Sequence, residues 1–204
     1  MDYLELSLKS LHTESVKLAQ IIEKSYHPDL VIYVARGGYL IGQDIANYFK
    51  VPAVGIYAQR KGNKLKESLK DILKCLPRPI TKMLREIELN SGVHRAIPER
   101  KVFWDADYSN SKEVIQAQKI LIVDDSVDTG YSMKALIPTI KQTTQAGMIK
   151  IAAINVWTKS QDVIHTDYFN YKDTIIVTPM SNDSKEHDQF LALFDQRRKD
   201  TGKK

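Results

Sequence analysis

Residues 120–133 read ILIVDDSVDTGYSM: four apolar residues, two adjacent carboxylates at Asp124 and Asp125, then small polar residues running into a helical pattern. A short apolar run bounded in this way is a buried strand, and the turn that follows starts a helix over 131–146. The backbone N–H groups of residues 128–132, with the hydroxyls of Thr129 and Ser132 and the steric freedom of Gly130, make a cradle for a phosphate monoester at a helix N-terminus. A Walker-type loop would carry a lysine, and none is present. Carboxylates this close to a phosphate repel it unless they face another part of the same ligand. Vicinal sugar hydroxyls with a magnesium ion nearby meet that requirement, because each hydroxyl donates a hydrogen bond to an acid. The stretch therefore predicts a site for a ribose 5-phosphate moiety.

Outward from this point the chain alternates. ESVKLAQIIEKSY places Val16, Leu18, Ile21 and Ile22 near one helical stripe, and DLVIYVA is a continuous run rich in β-branched residues. GGYLIGQDIANYF returns to helical spacing, VPAVGIYA to strand, and QKILIVDD, 131–146 and MIKIAAINVW repeat the cycle. Strands apolar on both faces and separated by helices indicate a doubly wound α/β domain, with a mostly parallel sheet and helices on both faces. Ligands of such sheets sit beyond the carboxyl ends of the strands. Both ARGG, residues 35–38, and the loop 124–132 fall there, so the two loops are expected to share one site. Residues 60–100 break the rhythm: Leu65, Leu69, Ile72 and Leu76, then PRP, then Ile80, Met83, Leu84 and Ile87 suggest a helical insert that could hood the site. The whole chain 1–204 is read as one domain with that insert, ending in a basic tail frayed over 199–204.

Composition excludes several classes. The 204 residues are 43% apolar with net charge +5, enough for one ordinary core and suited to an anionic small substrate. No apolar run is long enough to span a bilayer, and MDYLELSLKS has neither the basic start nor the apolar stretch of a signal peptide, so a cytoplasmic protein without a membrane partner is expected. Cys75 is alone, which rules out an intramolecular disulfide and a thiolate cluster and suggests a buried, inert thiol. His94, His165 and His187 have no metal-ligand spacing. The charges of RKGNKLKESLK lack interleaved aromatics and read as the solvated face of a helix, so no nucleic-acid partner is expected.

Two adjacent acids after a strand also occur in signalling receiver domains. Only 79 residues follow Asp125, however, and 119 precede the signature strand, so that fold would be truncated at one end and unexplained at the other. The order of apolar strand, two acids, short variable segment, Thr-Gly and a small hydroxyl residue instead resembles the phosphoribosyl-pyrophosphate signature of type I phosphoribosyltransferases. With DLVIYVARGGYLIG, it is most similar to the bacterial and archaeal xanthine, guanine and hypoxanthine enzymes, over roughly residues 10–57 and 119–180. The resemblance implies the type I phosphoribosyltransferase fold, with phosphoribosyl pyrophosphate bound by Ala35, Arg36, Gly37 and Gly38 and by Asp124, Asp125, Ser126, Val127, Asp128, Thr129, Gly130, Tyr131 and Ser132. It also implies magnesium held near Asp124 and Asp125, directly or through water and ligand hydroxyls, and a cis peptide between Ala35 and Arg36.

The same resemblance assigns roles. Arg36 would grip pyrophosphate, and Tyr108 and Ser109 would belong to a mobile loop that closes during turnover. Asp128 stands where related enzymes carry the acid that handles the proton of the incoming base; a helix N-cap is its alternative role. Lys159, Ile175 and Ile176 mark the base pocket, although Lys159 also reads as an exposed loop lysine, and Ile175 stands where an aromatic would be expected. A nucleobase-like acceptor, purine-like and of the 6-oxopurine type, and a homo-oligomer, with a dimer favoured, follow from the resemblance. The sequence is also compatible with a transferase acting on a non-purine acceptor and with a regulator that senses phosphoribosyl pyrophosphate without turnover.

Overall fold

The computed structural model describes residues 3–60, 100–105 and 111–201. The elements in chain order are β1 (Tyr3–Glu5), α1 (Leu8–Glu23), β2 (Leu30–Val34), α2 (Tyr39–Phe49), β3 (Ala53–Arg60), β4 (Arg100–Trp104), α3 (Lys112–Ile115), β5 (Lys119–Val127), α4 (Tyr131–Thr143), β6 (Met148–Val156), β7 (Tyr168–Lys172), β8 (Ile175–Val177) and α5 (His187–Thr201). By contact the chain divides into one unit of residues 1–58 with 102–204 and another of 59–101. The proposed helices of the insert, Cys75 and His94 lie outside the described residues.

Six strands form the main sheet in the order β4-β3-β2-β5-β6-β7, and β2–β3, β2–β5, β5–β6 and β6–β7 each run parallel. Strand periodicity explains why they are apolar throughout. Ile120 and Ile122 of β5 face one core with Met133, Leu136 and Ile140 of α4, while Leu121 and Val123 face the other with Leu11, Leu18 and Ile22 of α1 and Ile41 and Ile45 of α2. The architecture is the doubly wound α/β domain that the alternation of strands and helices predicts. β1 and β8 form a separate two-stranded parallel sheet, Leu4 opposite Ile176, that ties the N-terminus to the segment leading into α5.

Several expectations shift. In α1 the buried stripe runs through Leu11, Ser15, Leu18, Ala19 and Ile22, and Ile21 points outward, because 100° per residue carries it off the stripe. Ser7 caps this helix through a reciprocal pair with Ser10. α4 stops at Thr143, where the Thr144 hydroxyl bonds back to the Ile140 carbonyl, and α5 continues to Thr201, into the segment expected to fray. Among the described residues no helix is long and apolar enough to cross a membrane.

Candidate functional site

The carboxyl ends of β2 and β5 are neighbours in the sheet, so the two loops predicted to share a site emerge side by side. Their contact is intimate. A Cβ on Gly37 would stand 2.6 Å from Oδ1 of Asp125 and 2.8 Å from Oδ1 of Asp124, and one on Gly38 would meet the Val123 carbonyl oxygen at 2.2 Å. Glycine at both positions is what allows the ARGG backbone to lie against the acids. The Ala35–Arg36 peptide is cis, as the resemblance implied. Arg36 is exposed, and its guanidinium forms no ion pair among the described residues.

On the β5 side, Gly130 adopts φ 75° and turns the chain into α4. Among the described residues no side chain caps that helix, so its first N–H groups point to the loop without an intrahelical or side-chain acceptor there. Beside them lie the half-buried Thr129 and Ser132, so N–H and hydroxyl donors of the kind that can meet an anion gather at this turn. Asp128 is not the cap: Gly130 holds that position, and the exposed Asp128 carboxylate instead accepts a 2.6 Å hydrogen bond from the Ser126 hydroxyl. Its alternative role as an N-cap is thereby removed, since the loop needs two more residues before helical backbone begins.

The electrostatics are lopsided. Asp124, Asp125 and Asp128 lie within one short segment, and among the described residues no lysine or arginine pairs with any of them. Their donors are uncharged: the Asp125 N–H to Asp124, the Ser126 N–H to Asp125, and the Thr178 hydroxyl to Asp125 Oδ2 at 3.3 Å. Burial, and then the charge of Asp125, pushes the Asp124 carboxyl well above the ordinary value of 3.8. Burial and then Asp128 push Asp125 up as well. A site of this kind favours a cation or hydroxyl donors. Among the described residues no group of three or more His, Cys, Asp or Glu is placed to hold a metal by protein ligands alone. Two carboxylates leaving the remaining positions to water and substrate oxygens is the usual manner of magnesium, and this donor set fits it.

The other predicted residues are distributed unevenly. Tyr108 and Ser109 lie outside the described residues. Lys159 is exposed on a short turn after β6, with its ammonium 5.8 Å from the Trp157 ring centroid. Ile175 is buried in β8, and the partly buried Ile176 packs against the α1–α2 core beside Leu4. His165 is exposed, while His187 is buried beside the Pro179 carbonyl. Thr178 and Trp157 were not singled out from the sequence. Thr178 reaches Asp125 across 53 positions of chain, and Trp157 leaves the sheet hydrogen-bonded to the Val127 carbonyl, one residue before Asp128. No local motif marks either.

Residues 15–175 match the family model described as the phosphoribosyl transferase domain. No curated protein matches the chain. Among solved structures it is similar to a purine phosphoribosyltransferase from Pyrococcus horikoshii, at 20% identity over 88% of this chain and 93% of that one, TM-score 0.55. A xanthine-guanine-hypoxanthine phosphoribosyltransferase from Helicobacter pylori aligns at 16% identity over 87% and 92%, TM-score 0.58. A hypothetical protein from Neisseria gonorrhoeae with bound ppGpp aligns at 13% identity over 96% and 97%, TM-score 0.57. At these identities the likeness is one of fold.

Proposed function

The chain belongs to the phosphoribosyl transferase domain family, and from that premise we propose that it transfers the ribosyl 5-phosphate group of phosphoribosyl pyrophosphate to a ring nitrogen of a nucleobase, a 6-oxopurine, releasing pyrophosphate. The observation that carries the proposal is the contact of the Arg36–Gly38 loop with Asp124 and Asp125, next to an uncapped helix. One ligand bearing a phosphate, vicinal hydroxyls and a diphosphate complements all three features.

In this reading the N–H groups at the start of α4, with Thr129 and Ser132, hold the 5-phosphate. Asp124 and Asp125 accept hydrogen bonds from the ribose hydroxyls, and the Thr178 hydroxyl steadies Asp125. Breaking the bond from C1 to the pyrophosphate oxygen leaves positive charge on the sugar and negative charge on the leaving group, which Arg36 stabilises. The acceptor nitrogen forms the new bond to C1, and its proton passes to the Asp128 carboxylate. Magnesium held near Asp124 and Asp125 would add charge neutralisation at the pyrophosphate. Lys159 and Trp157 stand at the neighbouring strand end, where an exocyclic oxygen and a flat ring would be met.

The test is a panel of nucleobases and other nitrogen acceptors, each with magnesium and phosphoribosyl pyrophosphate, assayed for pyrophosphate and for the matching nucleotide. Hypoxanthine, guanine or xanthine is the expected acceptor. Turnover only on a non-purine would move the specificity. Tight binding of phosphoribosyl pyrophosphate without release from any acceptor would make the chain a sensor.

A further inference from the structure

Asn155 is out of place in its strand. β6, MIKIAAINV, is otherwise apolar after Lys150, yet Asn155 near its carboxyl end is only 1% exposed. A buried carboxamide has to find partners, and the ones it finds lead to the site. The Thr174 backbone N–H, 3.4 Å away, can only donate, which fixes the nearer end of the amide as its oxygen. The amide nitrogen is then turned to the Ser126 hydroxyl at 3.5 Å, and strand register sets Ser126 directly opposite Asn155. Having accepted that N–H, the Ser126 hydroxyl donates its own proton to Oδ1 of Asp128 at 2.6 Å. Every donor and acceptor in this series points one way, from Thr174 through Asn155 and Ser126 to Asp128.

We propose that Ser126 and Asn155 are positioning residues for Asp128. Together they hold its exposed carboxylate in one rotamer, with Oδ1 occupied by Ser126. Oδ2, which has no hydrogen-bond partner among the described residues, is thereby left to receive the acceptor's proton. An exposed aspartate on a loop otherwise samples several rotamers, and fixing one removes that entropy from the transfer step. The inference rests on the assignment of Asp128 as proton acceptor. It adds to that assignment a structural reason for a buried asparagine on a strand that packing alone would fill with an apolar residue.

Steady-state kinetics, with calorimetric affinity for phosphoribosyl pyrophosphate as a check on the fold, test the proposal through Ser126→Ala, Ser126→Thr, Asn155→Ser and Asp128→Asn. Ser126→Ala is expected to lower kcat about tenfold, the rate equivalent of one hydrogen bond to a charged group, with the KM for phosphoribosyl pyrophosphate unchanged. Ser126→Thr keeps the hydroxyl and should restore most of the rate, and Asn155→Ser should cost about threefold, acting one bond further away. In an Asp128→Asn background, Ser126→Ala should have no further effect on kcat. A normal kcat in Ser126→Ala beside a slow Asp128→Asn overturns the positioning role alone. The same loss from Ser126→Ala with and without Asp128 overturns it too, because the effect would not pass through that carboxylate. Normal turnover in Asp128→Asn withdraws the proton assignment and this inference with it.

Discussion

Two groups of buried or half-buried charge in this molecule are handled in opposite ways. Arg197 of α5 sits in a cage, its guanidinium carbon 5.7, 5.0 and 4.6 Å from the ring centroids of Tyr33, Tyr39 and Phe194, and it pairs with Asp105 and bonds to the Tyr33 hydroxyl. Gly55 leaves room for that arrangement, since a Cβ there would stand 2.8 Å from both Asp105 and the Tyr33 ring. Charge meets charge, and α5 is fastened to the sheet. At the ends of β2 and β5, by contrast, the half-buried Asp124 and Asp125 accept from hydroxyl and N–H donors, and no lysine or arginine among the described residues pairs with them. A fold keeps an uncompensated cluster when something else supplies the counter-charge. Among the described residues, then, paired charge fastens the architecture, and charge without a partner lies where we propose the site.

The sharpest way to break the contrast is to remove function without removing structure. Asp128→Asn should lower turnover on the true acceptor by roughly 10²–10⁴-fold, the scale of a lost proton-transfer group. Affinity for phosphoribosyl pyrophosphate should stay close to wild type and thermal stability should fall no lower, because Asp128 caps no helix and its charge raises the neighbouring Asp125 carboxyl. Loss of ligand binding in the same variant would show that the charge organises the loop instead.

Removing one member of the paired group should do the reverse. The side chains of Arg197 and Asp105 are 12% and 7% exposed, so Arg197→Ala strands a buried carboxylate and should cost about 3–5 kcal/mol in urea unfolding. Adding Asp105→Asn should recover part of that loss. A cost below about 1 kcal/mol would mean that water screens the pair as it does a surface ion pair.

Taking one charge from the acid cluster should stabilise the unliganded chain. The Asp124 carboxyl is raised above its ordinary value of 3.8 by burial and by Asp125, so below that value both folded and unfolded states are protonated and the cluster costs nothing. As pH rises the unfolded chain ionises first, stability falls, and the penalty becomes constant above the raised folded value. Asp124→Asn should therefore leave Tm unchanged near pH 3.5 and raise it by a few degrees at pH 7.5, since about 1 kcal/mol moves Tm by roughly 2–4 °C at this size. Equal melting at both pH values would show the acids to be unstrained.

How much of this was legible depended on how local the cause is. β2, β5 and β6 announced themselves because a strand covered on both faces has no polar alternation, and 35–38 and 124–132 followed from their position after such strands. The pairing of β1 with β8 left no trace, as strands of three residues carry no period. β7 was hidden by its mixed composition at a sheet edge, where Tyr168, Asn170 and Tyr171 are only half-buried. A cap was the alternative role for Asp128 because residue type favours one, whereas the φ of Gly130 put the cap two residues later. Thr178, Asn155 and Arg197 act across tens to more than a hundred positions, through tertiary contacts that no spacing rule encodes.

In the proposed function Asp124 and Asp125, which no lysine or arginine among the described residues pairs with, serve the ribose hydroxyls and the cation of a single ligand. Calorimetric titration of phosphoribosyl pyrophosphate with magnesium into the wild-type chain and into Asp124→Asn/Asp125→Asn tests it directly. Hydrogen bonds to charged acceptors are worth about 1.5–3 kcal/mol each, so the double variant should bind at least about tenfold more weakly while melting no lower than wild type. Unchanged affinity in a folded double variant would show that these acids do not hold the ribose.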